Sequence, residues 1–512
     1  MNKSIQQFIN SKKFLWLIIG IGIILRLVQY LFNRSLWLDE AALASSIISR
    51  DFAGLLQPLD FAQTAPVGFL MLTRLAVEMG GGGEYALRFV PFISGILALF
   101  VFWKVAEIYL TPKAVPFAVG LFTISTPLIY FSSEFKQYST EVLVALLLLW
   151  QAGQMQTKDY HKTPTIIGLA AAGAAAVWFS FSAVFVLAGI AMGMIFFAWT
   201  SQQKEMTGWL TLIAFIWAAS FIAYYFLLLK KMIPGQAAEQ YWETYFMPFP
   251  PLSFEQIKWY TTTFFRIFEY PGGLKLTGLA ALGFLCGCYS LSGKQKDKLF
   301  ILILPIFVTL IASTFHKYPF GGRLILFLAP VLILCIAQGI VYIQEKLGVA
   351  NRFIYVLIIV FLFLQPCLSA GQYLMKPRTV EEIRSVVEYL AQHKQNDDLV
   401  YIYYGAEKGF AYYAPRFRLN PQTAIPGIKS RQKWDNYLQD INKLTGHKRV
   451  WLLFSHVHSD DGVHEEKFFT YHLDRAGQRL DFFRASGGSL PFDDYKEGPA
   501  IYLYDLSKRK GQ

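Results

Sequence analysis

Residues 14–40 of the chain read FLWLIIGIGIILRLVQYLFNRSLWLDE, an apolar run that is followed by an acidic pair, Asp39 and Glu40. A transmembrane helix needs about 20 apolar residues, and the run from Phe14 to Phe32 has that length. The run is too long for the apolar core of a secretory signal, and no small-residue cleavage site follows it. The sequence therefore predicts a transmembrane helix with Asp39 and Glu40 just beyond its outer end.

The composition extends this membrane character to most of the chain. Of the 512 residues, 54% are hydrophobic and 16% are charged, and the mean hydropathy is +0.37. A soluble domain carries about 25% charged residues, so a purely soluble protein is excluded. Charged residues concentrate beyond residue 370. We therefore expect a transmembrane domain over residues 1–370 and a soluble domain over residues 371–512.

The membrane part is predicted to be an α-helical bundle of about eleven spans. The spans are 14–32, 86–109, 114–131, 139–156, 164–180, 183–200, 208–229, 274–291, 299–315, 324–344 and 352–370. The least distinct boundary lies within residues 164–200, where only Trp178 to Ser182 separates two spans. Losing that break would reverse the side on which the C-terminal domain lies.

Short loops on one side of these spans carry most of the lysines, which marks the cytoplasmic side. The cations of these loops are Lys104, Lys113, Lys158, Lys162, Lys204, Lys294, Lys296, Lys298, Lys346 and Arg352. This pattern predicts a multi-pass protein with a cytoplasmic N-terminus. An odd number of spans then places the C-terminal domain outside the cytoplasm.

Two regions lie outside the predicted spans. The first outer loop, residues 33–85, can form interfacial amphipathic helices at 40–56 and 66–79. The C-terminal domain alternates between helical and strand patterns, which is typical of a small α/β domain. Its predicted helices are 381–393 and 434–444, and its predicted strands are 399–404, 450–454 and 501–504.

The acidic pair beside the first span has two interpretations. A carboxylate at a membrane face can act as a general base that takes a proton from an acceptor hydroxyl or amine. The structural alternative is that Asp39 caps a helix beginning at Glu40, with Glu40 favoured by the helix dipole. Position along the chain leaves both interpretations open.

Two further polar stretches, 132–141 and 316–323, follow spans on the same predicted face. Their cations suit a phosphate group attached to a lipid, because guanidinium and ammonium groups bind phosphate through charged hydrogen bonds. These cations are Lys136, His316, Lys317 and Arg323. The alternative is that each is a charge at a helix end that reaches towards water. No basic stripe with stacking aromatics is present, so no nucleic-acid partner is expected.

Several motifs, taken in order, resemble the GT-C membrane glycosyltransferases. Within these the chain is most similar to the bacterial family 39 branch, related to protein O-mannosyltransferases and lipid A aminoarabinose transferases. The motifs are Trp37-Leu38-Asp39-Glu40, Ala65-Pro66-Val67-Gly68-Phe69, Leu87-Arg88-Phe89-Val90-Pro91, Glu134-Phe135-Lys136-Gln137-Tyr138, and Tyr318-Pro319 leading to Arg323 and Pro330. The resemblance covers roughly residues 10–370, and the Asp-Glu motif is its most specific part.

The resemblance implies inverting transfer of a hexosyl or pentosyl group from a polyprenyl-phosphate donor to an extracytoplasmic lipid, protein or glycan acceptor. It also implies a place in the bacterial inner membrane, among membrane lipids. Asp39 would be the catalytic base, and Glu40 would orient the acceptor or a metal. The implied donor-phosphate residues are Arg88, Lys136, Tyr138, His316, Lys317 and Arg323, with Asp60, Gln63, Glu134 and Tyr318 as further acceptor or donor contacts.

The chain departs from the aminoarabinose transferases at one motif. Those enzymes carry Glu-Lys before Pro-Pro, whereas this chain has Gln63-Thr64 before Ala65-Pro66. The nearest carboxylate to that position is Asp60. No nucleotide-binding loop is expected, and a divalent cation stays open as a cofactor. In the C-terminal domain, the spacing of His456, His458, Asp460, Asp461 and His464 matches no standard metal site.

Two other functions are compatible with many spans and polar residues. One is a flippase or transporter of lipid-linked glycans, and the other is a glycan ligase that uses lipid-diphosphate donors. Transporters usually place ionisable residues at mid-membrane. In this sequence a single residue, Arg26, is a clear charge within a predicted span. The ligase also needs extracytoplasmic cations, so the sequence separates it poorly from the transferase.

Overall fold

The computed structural model describes residues 11–157, 163–232, 241–348, 351–431, 433–460, 462–487 and 497–507. The chain forms two compact units. The first, here called the membrane unit, comprises Met1–Phe32, Asp51–Pro58 and Thr64–Pro377. The second, here called the C-terminal unit, comprises Asn33–Arg50, Leu59–Gln63 and Arg378–Gln512. Two pieces of the first outer loop therefore belong to the C-terminal unit.

The described α-helices of six or more residues are named in chain order. They are α1 (Lys12–Leu31), α2 (Leu38–Ser49), α3 (Val67–Gly80), α4 (Glu84–Tyr109), α5 (Val115–Ile124), α6 (Thr126–Phe131), α7 (Tyr138–Thr157), α8 (Thr163–Phe179), α9 (Ala183–Thr200), α10 (Lys204–Tyr224), α11 (Phe254–Glu269), α12 (Thr277–Lys294), α13 (Lys296–Thr314), α14 (Ala329–Leu347), α15 (Arg352–Met375), α16 (Ile383–His393), α17 (Glu407–Tyr413), α18 (Trp434–Asn442) and α19 (Glu465–Ala476). A 3-10 segment, Gly322–Leu328, leads into α14.

Each predicted span coincides with helical structure in the membrane unit. Among the described helices, seven are long and apolar enough to cross a membrane: Lys12–Leu31, Glu84–Tyr109, Ala183–Thr200, Lys204–Met232, Lys296–Thr314, Gly322–Leu347 and Arg352–Met375. Three shorter apolar helices accompany them: Val115–Ile124, Thr165–Phe179 and Thr277–Gly293. The remaining predicted span, 139–156, is helix α7. The polytopic helical architecture is therefore confirmed. Lys158 and Lys162 of the predicted cytoplasmic loops lie outside the described residues.

The predicted break between α8 and α9 is confirmed, and a buried carboxylate explains it. Glu141, in the first turn of α7, accepts a hydrogen bond from the backbone N–H of Phe181 at 3.1 Å. The Ser180 hydroxyl accepts from the N–H of Ala183 at the start of α9. These acceptors satisfy N–H groups that have no partner at a helix start, so the chain can leave the helical path inside the bundle.

The predicted span 114–131 is divided by a second break in the helix, which was not predicted from the sequence. The helix stops at Ser125, two residues before Pro127. Proline has no N–H, so the carbonyl oxygen of Thr123 loses its helical partner. Arg26 donates to that oxygen at 3.4 Å and to the oxygen of Gly22 at 3.1 Å. The mid-span arginine therefore bonds to backbone that the proline leaves free.

The C-terminal unit is an α/β domain, as predicted. Its strands are β1 (Leu399–Ile402), β2 (Ile425–Pro426), β3 (Val450–Phe454), β4 (Ser459–Asp460), β5 (Val463–His464), β6 (Gln478–Arg484) and β7 (Ala500–Asp505). The main sheet has the order β2-β1-β3-β7-β6, in which β1 pairs in parallel with β2 and β3. β7 is antiparallel to β3 and β6. Every residue of β3 is buried, as expected for a central strand.

Candidate active site

The acidic pair lies in the first turn of α2. The cap residue is Trp37, and its N–H donates to Glu40 Oε2 at 3.4 Å. Glu40 is fully buried, whereas Asp39 is half-buried. The helix begins at Leu38, so the expectation that Asp39 caps a helix starting at Glu40 is wrong. Glu40 makes the bond to the cap residue, and Asp39 is the more exposed of the two acids.

The backbone that leads to Asp39 is held by side chains of the same C-terminal unit. Glu382 accepts from both the N–H and the hydroxyl of Ser35, at 3.2 and 2.9 Å. The phenol of Tyr413 accepts from the N–H of Leu36 at 2.8 Å. Glu381 Oε2 accepts from the N–H of Leu38 at 3.3 Å. Three successive points of the segment before Asp39 are therefore bonded to residues far along the chain.

A cation of helix α17 accompanies the acidic pair. The ammonium of Lys408 lies 5.0 Å from the ring centroid of Phe61. Burial lowers the pKa of Lys408, and the attraction of Asp39 opposes that shift. Helices α2 and α17 pack against each other. The C-terminal unit thus supplies a positive charge that interacts with Asp39.

Asp60 is also part of the C-terminal unit, where it holds a short turn to α2. Its Oδ1 lies 2.5 Å from Arg50 Nη2, and its Oδ2 accepts from the Ser46 hydroxyl at 2.9 Å. The N–H of Gln63 bonds to the carbonyl of Asp60 at 3.2 Å. Phe61, between them, has a φ of 56°, which is rare for a residue with a side chain. The geometry supports a structural role for Asp60.

In the membrane unit, the polar stretch from Ser132 to Glu141 is buried throughout. Tyr138 lies within it, and the guanidinium of Arg323 lies 5.6 Å from the centroid of the Tyr138 ring. Lys136 is buried two residues earlier. Two of the predicted donor-phosphate residues, Tyr138 and Arg323, are therefore brought together from distant parts of the sequence.

Two more of the predicted contact residues are buried in the membrane unit. Arg88 lies on α4 and Glu134 precedes α7, and α4 packs along α7. Charged side chains inside a membrane bundle are costly unless they are paired, and they usually have a function. Arg88 and Glu134 are thus buried charged side chains of the membrane unit.

Tyr318 is half-buried and lies between α13 and the 3-10 segment that leads into α14. Its hydroxyl donates to the carbonyl of Leu324 at 2.7 Å, and its ring lies 4.7 Å from that of Phe185. Burial raises the pKa of Tyr318, and the nearby Glu141 and Tyr138 raise it further. Tyr318 is therefore a neutral phenol at physiological pH, able to donate a hydrogen bond but not to act as a base.

The remaining predicted cations, His316 and Lys317, differ from these. Both are exposed at the end of α13, and the ring of His316 lies 4.6 Å from that of Phe246. Within the described part of the chain, neither makes a side-chain ion pair. The predicted phosphate-binding set thus divides into buried residues and exposed residues.

The glycines before Arg323 have a packing role. A Cβ on Gly321 would lie 2.0 Å from the Tyr245 ring, so only glycine allows that contact. Gly322 has a φ of 58°, a conformation that favours glycine. Gly321 thus packs tightly against Tyr245, and Gly322 makes the turn that leads into Arg323.

Solved structures with a similar arrangement of elements are membrane enzymes. ArnT from Cupriavidus metallidurans, bound to undecaprenyl phosphate, has a TM-score of 0.55 and 11% identity over 96% of this chain and 98% of that one. The oligosaccharyltransferase of Archaeoglobus fulgidus, in complex with zinc and sulfate, has a TM-score of 0.54 and 12% identity over 85% and 67%. The archaeal AglB with an inhibitory peptide and a dolichol-phosphate gives 0.50 and 11% over 86% and 69%. No protein-family model and no curated protein sequence matches the chain.

The chain has the GT-C fold of membrane glycosyltransferases. The fold class predicted from the sequence motifs is thereby confirmed. At 11–12% identity the likeness concerns the fold alone.

The acidic residues of this GT-C chain can be tested for a divalent cation. Glu40 already accepts from the N–H of Trp37, and Asp39 interacts with the Lys408 ammonium, which competes with a metal ion for the carboxylate. Among the described residues, neither acid belongs to a group of three ligating side chains within 4.8 Å of one another. In the described part of the chain, the surroundings of Asp39 therefore do not fit a metal ion.

One three-residue group of potential ligands does occur among the described residues, in the C-terminal unit. It consists of His464, Glu466 and Glu497. Glu466 is already bonded to Arg484, and Glu497 lies 3.4 Å from the same guanidinium. These carboxylates are neutralised by arginine, so the group is an ion-pair network. Of the predicted histidine and aspartate cluster, His456 instead pairs with Glu381, and Asp461 lies outside the described residues.

Sequence reasoning missed the residues that surround Asp39 within the C-terminal unit. Glu381, Glu382 and Lys408 belong to no motif, and the two glutamates were only a predicted helix start. Glu141, by contrast, lies in the polar stretch beside Tyr138 and could have been found as a carboxylate at the outer end of a span. Contacts between distant segments left no local pattern to detect.

Proposed function

We propose that this protein is an inverting glycosyltransferase that moves a sugar from a polyprenyl-phosphate donor to an acceptor outside the cytoplasm. The observation that carries the proposal is the GT-C fold, matched over 96% of the chain to an enzyme bound to undecaprenyl phosphate. The half-buried Asp39, in the first turn of α2, supplies the accessible carboxylate that such a reaction needs.

The reaction is a single displacement at the anomeric carbon. Asp39 accepts the proton of the acceptor hydroxyl or amine as that atom forms a bond to the anomeric carbon. The bond from this carbon to the phosphate oxygen breaks, and the oxygen leaves with the electron pair. Attack opposite to the leaving phosphate inverts the anomeric configuration. A base of this kind contributes about 10²–10⁴ to the rate.

Positive charge assists the departure of the lipid phosphate. Lys136 and Arg323 are the candidates, since one is buried and the other is held over the Tyr138 ring. Cationic groups stabilise the charge that grows on the phosphate as the glycosidic bond breaks. Tyr318 is a further proposed contact, although its hydroxyl proton is already donated to the carbonyl of Leu324. Arg88, which is buried on α4, is a further candidate cation for the donor phosphate.

The reaction is proposed to occur at the outer face of a bacterial inner membrane, with the N-terminus in the cytoplasm and the C-terminal unit outside. The lysine-rich short loops support this orientation. The acceptor is a lipid, a protein or a glycan on that side. The products are the glycosylated acceptor and a polyprenyl phosphate.

The transporter alternative would favour ionisable residues at mid-membrane, and Arg26 is the clear charge within a predicted span. Its guanidinium bonds to the carbonyls of Gly22 and Thr123. A backbone-bonded arginine at a helix break has a structural explanation. No specific observation favours a flippase over a transferase.

The test is a donor assay with the purified full-length protein in detergent or liposomes. The protein is incubated with a panel of radiolabelled polyprenyl-phosphate sugars and candidate acceptors, and the release of polyprenyl phosphate is measured. Release that depends on Asp39 supports the proposal. Movement of intact donor across the vesicle membrane without sugar release would instead identify a flippase. Release only from lipid-diphosphate donors would identify a ligase.

A further inference from the structure

The start of helix α2 is bonded to the carboxyl edge of the sheet in the C-terminal unit. Glu381 is fully buried, and its Oε2 accepts from the N–H of Leu38 at 3.3 Å and from the Ser455 hydroxyl at 3.3 Å. Its Oε1 is hydrogen-bonded with His456 Nδ1 at 2.6 Å. Ser455 and His456 directly follow β3. One carboxylate thus joins the residue before Asp39 to the end of a central strand.

In addition to the hydrogen bonds of Glu381, Lys408 interacts electrostatically with Asp39. It lies in α17, a helix that packs on α2, and its ammonium is held near Phe61 at 5.0 Å. The charges that act on Lys408 are Asp39 and Glu407, which attract it, and Lys429, which repels it. The packing of α17 on α2 thus accompanies an attraction between Lys408 and Asp39.

We propose that Glu381 and Lys408 are positioning residues for Asp39, so that the C-terminal unit is a working part of the transfer reaction. This inference rests on the proposed role of Asp39 as the base. Glu381 holds the first turn of α2, because it bonds to the N–H immediately before Asp39. Lys408 lies on the helix that packs against α2 and supplies a positive charge that attracts the Asp39 carboxylate. Neither residue is required to touch the donor or the acceptor.

The physical reason is that a base must be held accurately. A misplacement of about 1 Å in a reacting group can cost roughly a hundredfold in rate. Asp39 follows a loop that begins where α1 ends, and loops are more mobile than the elements they connect. A central strand such as β3 is among the most rigid elements of a domain. Glu381 is hydrogen-bonded both to residues at the end of this strand and to the N–H of Leu38. These bonds restrict the motion of the loop.

The first experiment measures positioning without using activity. Amide hydrogen exchange is followed by mass spectrometry in the full-length protein, on peptides that cover residues 33–43. Glu381→Ala is expected to increase exchange of these amides by about tenfold, since the N–H of Leu38 loses its acceptor. Glu381→Gln keeps the volume and one acceptor oxygen and is expected to give an intermediate increase. Glu388→Ala, a change of an exposed glutamate on α16, is the matched control.

The second experiment measures the charge contribution. Lys408→Met is expected to lower kcat by about tenfold while the KM for the donor stays within about twofold, because the step that suffers is proton removal and not donor binding. Lys408→Arg restores the charge and is expected to recover most of kcat. Lys467→Met, which removes an exposed lysine of α19, controls for surface charge.

The outcomes separate the two proposals. Unchanged exchange at residues 33–43 in Glu381→Ala, together with unchanged kcat in Lys408→Met, would overturn the positioning roles while Asp39 could remain the base. An Arg variant no better than the Met variant would show that Lys408 acts through packing alone. Full transfer by a folded Asp39→Asn protein would overturn the proposed base, and the exchange result would still report whether Glu381 holds α2.

Discussion

The guanidinium of Arg323 lies 5.6 Å from the centroid of the Tyr138 ring, so residues that follow different membrane helices meet in the membrane unit. A cation over an aromatic face keeps its charge while its apolar plane is covered. Lys136 is buried two residues before Tyr138. The proposed function assigns the phosphate of the donor to this cluster, and the predictions below test that assignment.

Replacement of Asp39 tests the chemical step. Asp39→Asn keeps the shape of the side chain and removes the base, so transfer is expected to fall by about 10²–10⁴. Polyprenyl phosphate release is measured at saturating donor. Asp51→Asn is the control, since Asp51 is an exposed acid whose carboxylate accepts from the N–H of Gly54, a bond that asparagine can retain. Transfer by Asp39→Asn at the control rate would remove Asp39 from the mechanism.

Arg323 is expected to contribute more to donor binding than Lys317. Arg323→Ala removes a half-buried charge and is expected to raise the donor KM by about tenfold, the effect of losing a charged hydrogen bond. Lys317→Ala changes an exposed residue, and its effect is expected to stay within about twofold. Steady-state kinetics over a range of donor concentrations measure both. Similar effects of the two changes would indicate that the phosphate binds elsewhere.

A double-mutant cycle tests the link between Arg26 and the break at Ser125. In Pro127→Ala the new N–H can bond to the carbonyl of Thr123, which Arg26 bonds in the natural chain. Arg26→Met is therefore expected to be less harmful in the Pro127→Ala protein than in the wild type, with a coupling of about 0.5–1.5 kcal/mol. Thermal unfolding of the four proteins in one detergent gives the coupling. Additive effects would show that the two residues do not share this carbonyl.

The acid stability of the C-terminal unit is expected to depend on Asp398. Burial alone would raise the pKa of this carboxyl, but hydrogen bonds from Arg449, the Gln395 backbone and Trp451 outweigh burial and lower the pKa. A carboxylate whose pKa is lower in the folded than in the unfolded state stabilises the protein above the unfolded value of about 3.9. This stability is lost as the pH falls below that value.

The measurement is the unfolding temperature of wild type and Asp398→Asn from pH 6 down to pH 3. The wild type is expected to lose more stability over this range than the variant, whose side chain cannot titrate. Asp474→Asn gives a comparison, since Asp474 forms a more exposed pair with Arg479 at 2.7 Å. Parallel curves for wild type and Asp398→Asn would contradict the role of this carboxylate.

Much of the membrane unit was predictable from the sequence for a simple reason. The thickness of the hydrocarbon layer sets the length of each apolar run, and every backbone polar group inside it must be bonded within the helix. The break near Trp178 to Ser182 was also predicted, since polar residues interrupt the run there. The break at Ser125 was not predicted, because its stabilising partner, Arg26, comes from another helix.

The candidate site was predictable only in part. Asp39 and Glu40 stand out because two adjacent acids directly follow an apolar run, and Arg323 stands out because two glycines precede it. The sequence did not separate the buried cations Lys136 and Arg88 from the exposed Lys317 and His316. Burial depends on which helices pack together, and a local sequence pattern does not specify that packing.

By itself the sequence determined that the chain is a polytopic helical membrane protein with an α/β domain, and that an acidic pair follows its first span. Only the tertiary structure decided that this pair belongs to the C-terminal unit, where Glu381 and Lys408 accompany it. The physical reason is the distance along the chain over which each kind of interaction acts. Hydrophobic periodicity and turn residues act over a few neighbours, whereas the groups that hold Asp39 lie more than three hundred residues away along the chain.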